Sequence, residues 1–548
     1  MLTPDEIWYG ADILTMDASR PKAEAIAMKD GRILAVGGDA DVLNLAGPGT
    51  KLNNMHGRFM MPGLVESHTH ALWGACRDLF DVYVGYQASL NQLLEAVAAR
   101  AKQLPAGDVI NGGPWRHEMR EMMGPEPHKV LDAISTEHPI VLNDTSQHIL
   151  WCNSKALEMG GISKNTPDIP GGVIERTASG EPNGILAETA GTTVRKLTAR
   201  NADQMSQAAK SFIQYFNSMG ITAFKEPMAY EEDLRAYYDA DQAGELTLHM
   251  AAHLVRQSPM TDGVVPYDQL ETLRDTYASS NIRTSFAKLF IDGVALGHTA
   301  SFIEPYLASS GYDVGSHDPD ATLLMAPDVL NETVTELDAR GFTVKMHAVG
   351  DNAIRKALDA IQAARTTNGE SGLRHETAHN SFVSDADLGR FKSLNTIAEM
   401  SPKMWFPNAA TPVQLAVLGE ERLRTSHRIR DLLRAGAEMT YASDWPASAP
   451  DANPWTGLSG MITRKNNDPA YEGEFNPEQA ITLEEALPLF TTNGARSLNM
   501  EAETGSLAIG KWADFIVLEN ALEQSKAAAI SATNVELTVW KGKVVFMQ

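Results

Sequence analysis

A chain of 548 residues with 43% hydrophobic residues can bury a large core and is too long for one small domain, so one large domain with a smaller satellite is expected. Its formal charge of -24 repels phosphate backbones and anionic headgroups, which argues against nucleic-acid and membrane partners and leaves a small-molecule substrate open. Two cysteines, Cys76 and Cys152, exclude a disulfide framework and a four-thiolate zinc site.

The opening residues carry no basic region followed by an apolar stretch, and no run of about 18 apolar residues occurs anywhere. No signal peptide and no membrane span are expected, and a reduced, cytoplasmic setting fits. Short strands are predicted at Ile7–Leu14, Ala25–Lys29 and Arg32–Val36, with Asp30-Gly31 placed for a tight hairpin. The far end has the same character at Asp514–Leu518 and Glu536–Phe546, the latter broken at Lys541-Gly542-Lys543. Residues 1–60 and 500–548 are therefore expected to pair into one small β-sandwich.

Between them, residues 61–499 alternate apolar strand-like runs with amphipathic helical stretches. The predicted strands are Phe59–Val65, Ile221–Phe224, Thr247–Leu254, Thr284–Ile291, Thr343–His347, His375–His379, Thr396–Met400 and Glu438–Ala442. Helices are predicted at Asp328–Arg340, Ala353–Ala364 and Asp385–Lys392. This βα repetition favours an α/β fold of the (β/α)8 TIM-barrel type. A doubly wound sheet is the alternative, but no Gly-rich dinucleotide fingerprint follows the first strand. From about residue 72 to 218 the rhythm breaks, and an inserted subdomain after barrel strand one is expected.

His68-Thr69-His70 closes the first barrel strand, where the spacing i, i+2 on extended chain turns both imidazoles to one face and lets them share a metal ion. Further ligand-type residues, Lys288, His347, His379 and Asp444, recur at later strand ends, which a barrel brings to one face. Spacing alone does not choose Lys288 over Lys225 or Lys345. No Gly-x-Ser-x-Gly elbow occurs, and no basic run is interleaved with aromatics.

Several motifs occur in a fixed order: Pro62-Gly63-Leu64-Val65 into His68-Thr69-His70, Lys288-Leu289-Phe290-Ile291-Asp292-Gly293 leading to Thr299-Ala300, His347-Ala348-Val349-Gly350-Asp351, and Ser443-Asp444-Trp445-Pro446. Together with the terminal Gly505-Ser506-Leu507, Gly510-Lys511 and Ala513-Asp514, this set resembles the amidohydrolase superfamily over nearly the full chain, and within it the YtcJ-like or N-substituted formamide deformylase-like group of amidohydrolase family 3. The resemblance implies a binuclear metal centre, most readily of zinc, with manganese, iron or cobalt as alternatives. His68 and His70 would bind one ion, and His347 and His379 the other. Asp444 would be both ligand and base, and Lys288, as a carboxylated lysine, would bridge the two. That set is close enough to neutral to be buried. His375 competes with His379, since the group has Glu immediately before this ligand, while the downstream Val383-Ser384-Asp385 favours His379.

The implied activity is hydrolysis of an amide-type carbon–nitrogen bond, of the N-acyl or N-formyl amine class, by metal-activated hydroxide with Asp444 as general base. A cyclic amide, carbamate, ester or lactone is the alternative substrate, and a non-catalytic metal-binding regulatory protein the alternative function. His148, Trp115, His298 and Trp445 are the expected substrate contacts, Trp405 is a further candidate aromatic wall, and Asp292 is either a partner orienting a ligand or a cap. Arg464 and Asn493 receive no role from the sequence. A homodimer is the expected assembly.

Overall fold

The computed structural model describes residues 2–85, 87–145, 149–167, 172–259, 263–408 and 410–548. They fall into two compact units, one formed by the chain up to Ala71 together with Lys210–Gln548, the other by Leu72–Ala209.

The first unit is built on eight parallel strands hydrogen-bonded in sequential order: β1 (Leu64–Glu66), β2 (Ile221–Ala229), β3 (His249–Val255), β4 (Ile282–Phe290), β5 (Thr343–Ala348), β6 (Glu376–His379), β7 (Ile397–Met400) and β8 (Glu438–Tyr441). Just past the ends of β1 and β8, Ser67 N donates to Tyr441 O at 3.0 Å and Asp444 N donates to His68 O at 2.9 Å. These bonds join the first strand to the last, so the sheet curls into a barrel and the residues after each strand meet at one end. Helices cover the outside, so strands such as β3 are buried along their whole length. Among the described residues no helix is long and apolar enough to cross a membrane.

The same unit holds two further sheets. A six-stranded sheet runs Lys543–Met547, Val535–Trp540, Phe515–Leu518, Phe59–Pro62, Asp12–Leu14, Lys22–Ala23, so it draws on both ends of the chain. A four-stranded sheet, Arg32–Gly37, Ala25–Lys29, Glu6–Tyr9 and Lys51–Asn54, contributes Trp8, Ile26 and Met28 to a core shared with Ile13, Phe515, Val517 and Val539. Two tight hairpins have positive φ at both central residues, Asp30 (51°) with Gly31 (75°) and Lys541 (46°) with Gly542 (73°), the backbone that follows the right-handed twist of paired strands.

The expected single strand Phe59–Val65 is two strands. Phe59–Pro62 pairs with Phe515–Leu518 in the terminal sheet, whereas Leu64 opens the barrel. The chain changes sheets at Gly63, whose N–H donates to Asp514 O at 3.0 Å while Leu64 N donates to Gly220 O at 2.8 Å. An uninterrupted apolar run hides such a transfer. Gly63 is required by proximity, because a Cβ there would lie 2.2 Å from Thr222 Oγ1.

The second unit contains a mixed sheet in the order Gly172–Arg176, Pro182–Glu188, Ile149–Cys152, Ile140–Asp144, Ile110–Trp115, Val82–Tyr83. It has apolar clusters of its own, one around Leu93, Trp115, Leu142 and Trp151 and another around Leu150, Leu157 and Leu186. Cys76 and Cys152 are both buried.

Gly63→Ala should lower unfolding free energy by about 1–3 kcal/mol through overpacking, and adding Thr222→Ala should restore part of it, since the Thr222 Cβ, 2.8 Å from the added carbon, stays. Urea melts of the two variants check this; equal stability of Gly63→Ala and the parent would show that the junction has room to relax.

Candidate metal centre

Three ligand atoms converge where the barrel closes. His68 Nε2 lies 3.4 Å and His70 Nε2 3.5 Å from Asp444 Oδ1, and all three atoms lie within 4.8 Å of one another. Ligands at zinc-type bond lengths around a tetrahedral ion are separated by about 3.4 Å. The donors are thus spaced for a shared cation better than for one another. Burial opposes ionisation of Asp444, but the His70 hydrogen bond and the nearby imidazoles outweigh it and hold the carboxyl below the usual range. For His70 burial acts downward, yet Asp444 and Glu226 raise it to about 9.

A second pair of histidines stands alongside. The His379 ring is 4.9 Å from that of His68 and 4.8 Å from that of His347. Each of the four imidazoles has one nitrogen facing a neighbouring acceptor. His68 Nδ1 donates to Glu399 Oε2 at 2.5 Å, and His70 Nδ1 faces Glu226 Oε1 at 3.4 Å. His347 Nε2 donates to Gly293 O at 3.3 Å, and His379 Nδ1 meets Ser401 Oγ at 3.2 Å. The opposite nitrogens of His68 and His70 face Asp444 Oδ1, and a ring held at one nitrogen by a neighbour is the arrangement by which proteins orient imidazole ligands. Burial, reinforced by the Lys345 and Lys288 charges, keeps His68 far below its ordinary value, and burial with His379 and Lys288 does the same for His347, so both stay neutral donors.

His375, the rival of His379, is committed elsewhere: its Nε2 bonds Asp338 Oδ1 at 3.0 Å and its Nδ1 accepts from Val344 N at 3.0 Å. The three buried strand lysines also separate. Lys225 binds Glu376 and Ser497 O, and Lys345 binds Ser67 O at 2.7 Å and Glu399 Oε2 at 2.8 Å. Lys288, 1% exposed, makes no hydrogen bond or ion pair among the described residues, and burial with the Lys345 charge pulls its amine down to about 8.

Beneath the histidines lie residues that sequence reasoning did not single out. Glu399 accepts from both His68 and Lys345, and Glu376 lies 3.3 Å from Lys345 while also pairing with Lys225. Glu226 holds Ala71 N at 3.1 Å and the Tyr237 hydroxyl at 2.7 Å besides facing His70. Glu66 accepts from His68 N and Ser443 N, each at 3.0 Å, tying the segments after β1 and β8 together. The signal for these residues is a charged side chain inside an otherwise apolar parallel strand, where both faces are buried and pairing is obligatory.

Trp115 lies in the core of the second unit, its indole N–H donating to Leu142 O at 3.2 Å. Trp445, adjoining Asp444, packs against Tyr215 and Phe216 at ring distances of 5.6 and 6.2 Å. His298 bonds Ser310 Oγ at 3.0 Å and packs on Tyr306, within the loop after β4. His148 lies outside the described residues. Asp292 accepts from Ser301, Val349 and Gly350 N–H groups at 2.9–3.0 Å, which makes it the cap that joins the loops after β4 and β5.

The model of the amidohydrolase family matches residues 52–546. The chain is 28% identical to the Bacillus subtilis protein YtcJ over 98% of this chain and 99% of that one. It is 26% identical to the N-substituted formamide deformylase of Arthrobacter pascens over 94% of this chain and 93% of that one. A crystal structure of a metal-dependent hydrolase from Pyrococcus horikoshii superposes with a TM-score of 0.75 at 22% identity, covering 95% of this chain and 99% of that one.

Glu399→Gln should weaken metal binding about 10–100-fold, because the imidazole of His68 loses its charged partner. Glu376→Gln removes a charge from the same network without touching His68 and should lower stability by several kcal/mol while lowering the affinity of the folded protein less than Glu399→Gln does. Competition with a chromogenic chelator measures both; equal losses would reduce Glu399 to a structural charge.

Proposed function

The chain belongs to the amidohydrolase family, and on that premise we propose that it hydrolyses an amide-type carbon–nitrogen bond of a small molecule, of the N-acyl or N-formyl amine class. The spacing of His68 Nε2, His70 Nε2 and Asp444 Oδ1 at 3.4–3.5 Å carries this reading. A relative named N-substituted formamide deformylase supports the formyl end of the class.

His68, His70 and Asp444 would hold one divalent cation and His347 and His379 a second, with zinc foremost and manganese, iron or cobalt as alternatives. When bound, such ions supply Lewis acidity toward a carbonyl and lower the pKa of water. Asp444, kept ionised beside His70, takes the proton of the attacking water and delivers it to the nitrogen of the departing amine. Hydrolysis then needs no side-chain nucleophile.

Lys288 would bridge the two positions as a carbamate. Its neutral amine attacks carbon dioxide, forms the N–C bond and releases one proton, leaving an anion between the two histidine pairs. Lys225 and Lys345 cannot serve, since their ammonium groups are bound by Glu376 and Glu399. The amine of Lys288, brought down to about 8 by burial, has a usable neutral fraction near neutral pH.

Metal-loaded protein should hydrolyse formamides or acetamides of simple amines in a panel that also contains carbamates and lactones. Turnover of lactones alone would move the reaction to esters, and inactivity on every amide would end this reading. Asp444→Asn should lower kcat by about 100-fold or more with little change in melting temperature. Diffraction from crystals of the loaded protein should show a planar carboxylate beyond Lys288 Nζ; a bare amine there would remove the bridge.

A further inference from the structure

Arg464 follows the helix Pro454–Thr463 in a left-handed conformation (φ 58°) and is only 1% exposed. Its Nε donates to Phe475 O at 2.8 Å, and its guanidinium lies 4.4 Å from the centre of the Trp405 ring. Both terminal nitrogens, Nη1 and Nη2, are buried without a hydrogen-bond partner among the described residues, and no carboxylate there forms an ion pair with them. Other arginines with a buried unpaired nitrogen still bond through a terminal nitrogen, Arg365 to Asp338 and Arg374 to Glu501, and Arg100, Arg256 and Arg422 to the backbone carbonyls of Phe80, Val265 and Pro305, whereas Arg464 does neither. The indole nitrogen of Trp405 is also buried and unpaired.

Three donors and no acceptor thus share one contact, and leaving a buried guanidinium uncompensated is expensive. What they lack is a planar acceptor with a single negative charge and two oxygens, which describes a carboxylate facing the fork of an arginine. A carbonyl would leave the charge unbalanced, and a phosphate would bring more charge than one guanidinium offsets.

The donors are linked to the His379 side of the candidate centre through intervening residues. His427, whose ring is 5.7 Å from that of Trp405, donates its backbone N–H to Ser381 O at 2.7 Å, two residues past His379. Ser401, in contact with His379 Nδ1, precedes Trp405 by one turn of 3-10 helix, Pro402–Met404. We infer that Arg464, with Trp405, receives a carboxylate of the substrate, so that the amide hydrolysed is one carrying a free acid. This deepens the amide-hydrolase reading and rests on it.

In the structure the guanidinium edge is closed over, and entry requires the segment carrying Trp405 to shift. The exchange gives up part of a cation–π contact for a charge-assisted bidentate pair, the stronger of the two.

N-formylphenylalanine and N-formylphenethylamine differ only in the carboxylate. The parent protein should favour the acid by about 100-fold in kcat/KM, and Arg464→Met should collapse that ratio, mainly through KM. Arg464→Lys, which keeps charge without the fork, and Trp405→Phe should each lose part of it, and these two carry the test if Arg464→Met does not fold. Calorimetry with 3-phenylpropanoate, which has no amide to cleave, reads the site independently of turnover. Binding to the metal-loaded parent and loss in Arg464→Met supports the anion site even if every amide proves inert. Equal turnover of the two formamides, or binding that Arg464→Met leaves unchanged, overturns it.

Discussion

Four fully buried charges, Lys225, Glu376, Lys345 and Glu399, stand inside the barrel and must cancel where they stand, because a lone charge in that interior would be costly enough to unfold it. They do so in alternation. Lys225 pairs with Glu376, Lys345 with both Glu376 and Glu399, and the sequence ends on the Nδ1–H of His68. Since Glu399 Oε2 accepts from Lys345 and from His68, the tautomer of His68 follows from charge balance below it. Its Nε2 lone pair is then left on the side of Asp444. The ligand is aimed by ion pairs already in place, which is the physical content of a preorganised site.

The strand pleat connects that charged layer to the one above. Residues two apart face the same way, so Lys345 leads to His347 on β5 and Glu399 to Ser401 past β7. At two places the alternation is broken where the chemistry lies: His379 has φ 74° and Asp444 φ 53°. Left-handed backbone costs a non-glycine residue about 1 kcal/mol or more and persists only where its surroundings over-determine it. Here they do. Asn380, next to His379, donates to Thr377 O and Glu399 O, and Asp444 N is held by His68 O.

Much of this was legible in the sequence, for identifiable reasons. Barrel strands β2 to β8 each overlap their predicted apolar run, because burial on both faces demands such runs, whereas of Phe59–Val65 only Leu64 and Val65 enter the barrel. The terminal sheets were readable from Asp30-Gly31 and Lys541-Gly542, whose residue types tolerate the positive φ the turns need. The transfer at Gly63 was not, since Phe59 to Val65 is apolar on both sides of the junction. Strand alternation does not separate His375 from His379, which lie four residues apart, and only the downstream Val383-Ser384-Asp385 of the resemblance favoured His379. Glu399 lies 331 residues from His68, and one charged residue in a short apolar run carries no mark of its partner. Lys288 needed the family resemblance, since only the structure shows that the other two lysines are taken.

The two halves of the proposed centre are not equivalent. On the β1 side, His68 and His70 face carboxylates, Glu399 and Glu226. On the β5 and β6 side, His347 is oriented by the Gly293 carbonyl and His379 by the Ser401 hydroxyl, with Asp292 no nearer to His347 than 3.9 Å. A carboxylate partner raises the basicity of an imidazole ligand more than a neutral acceptor does. In the proposed centre the first half would therefore hold the stronger donors, where β1 and β8 close the barrel. Gly293 and Ser401 both belong to segments beyond strand ends, so the second half is tuned by loops, and Ser401 leads within one short turn to Trp405. A change in that loop reaches His379 and the surroundings of Arg464 together, whereas His68 and His70 remain tied to the charges beneath them.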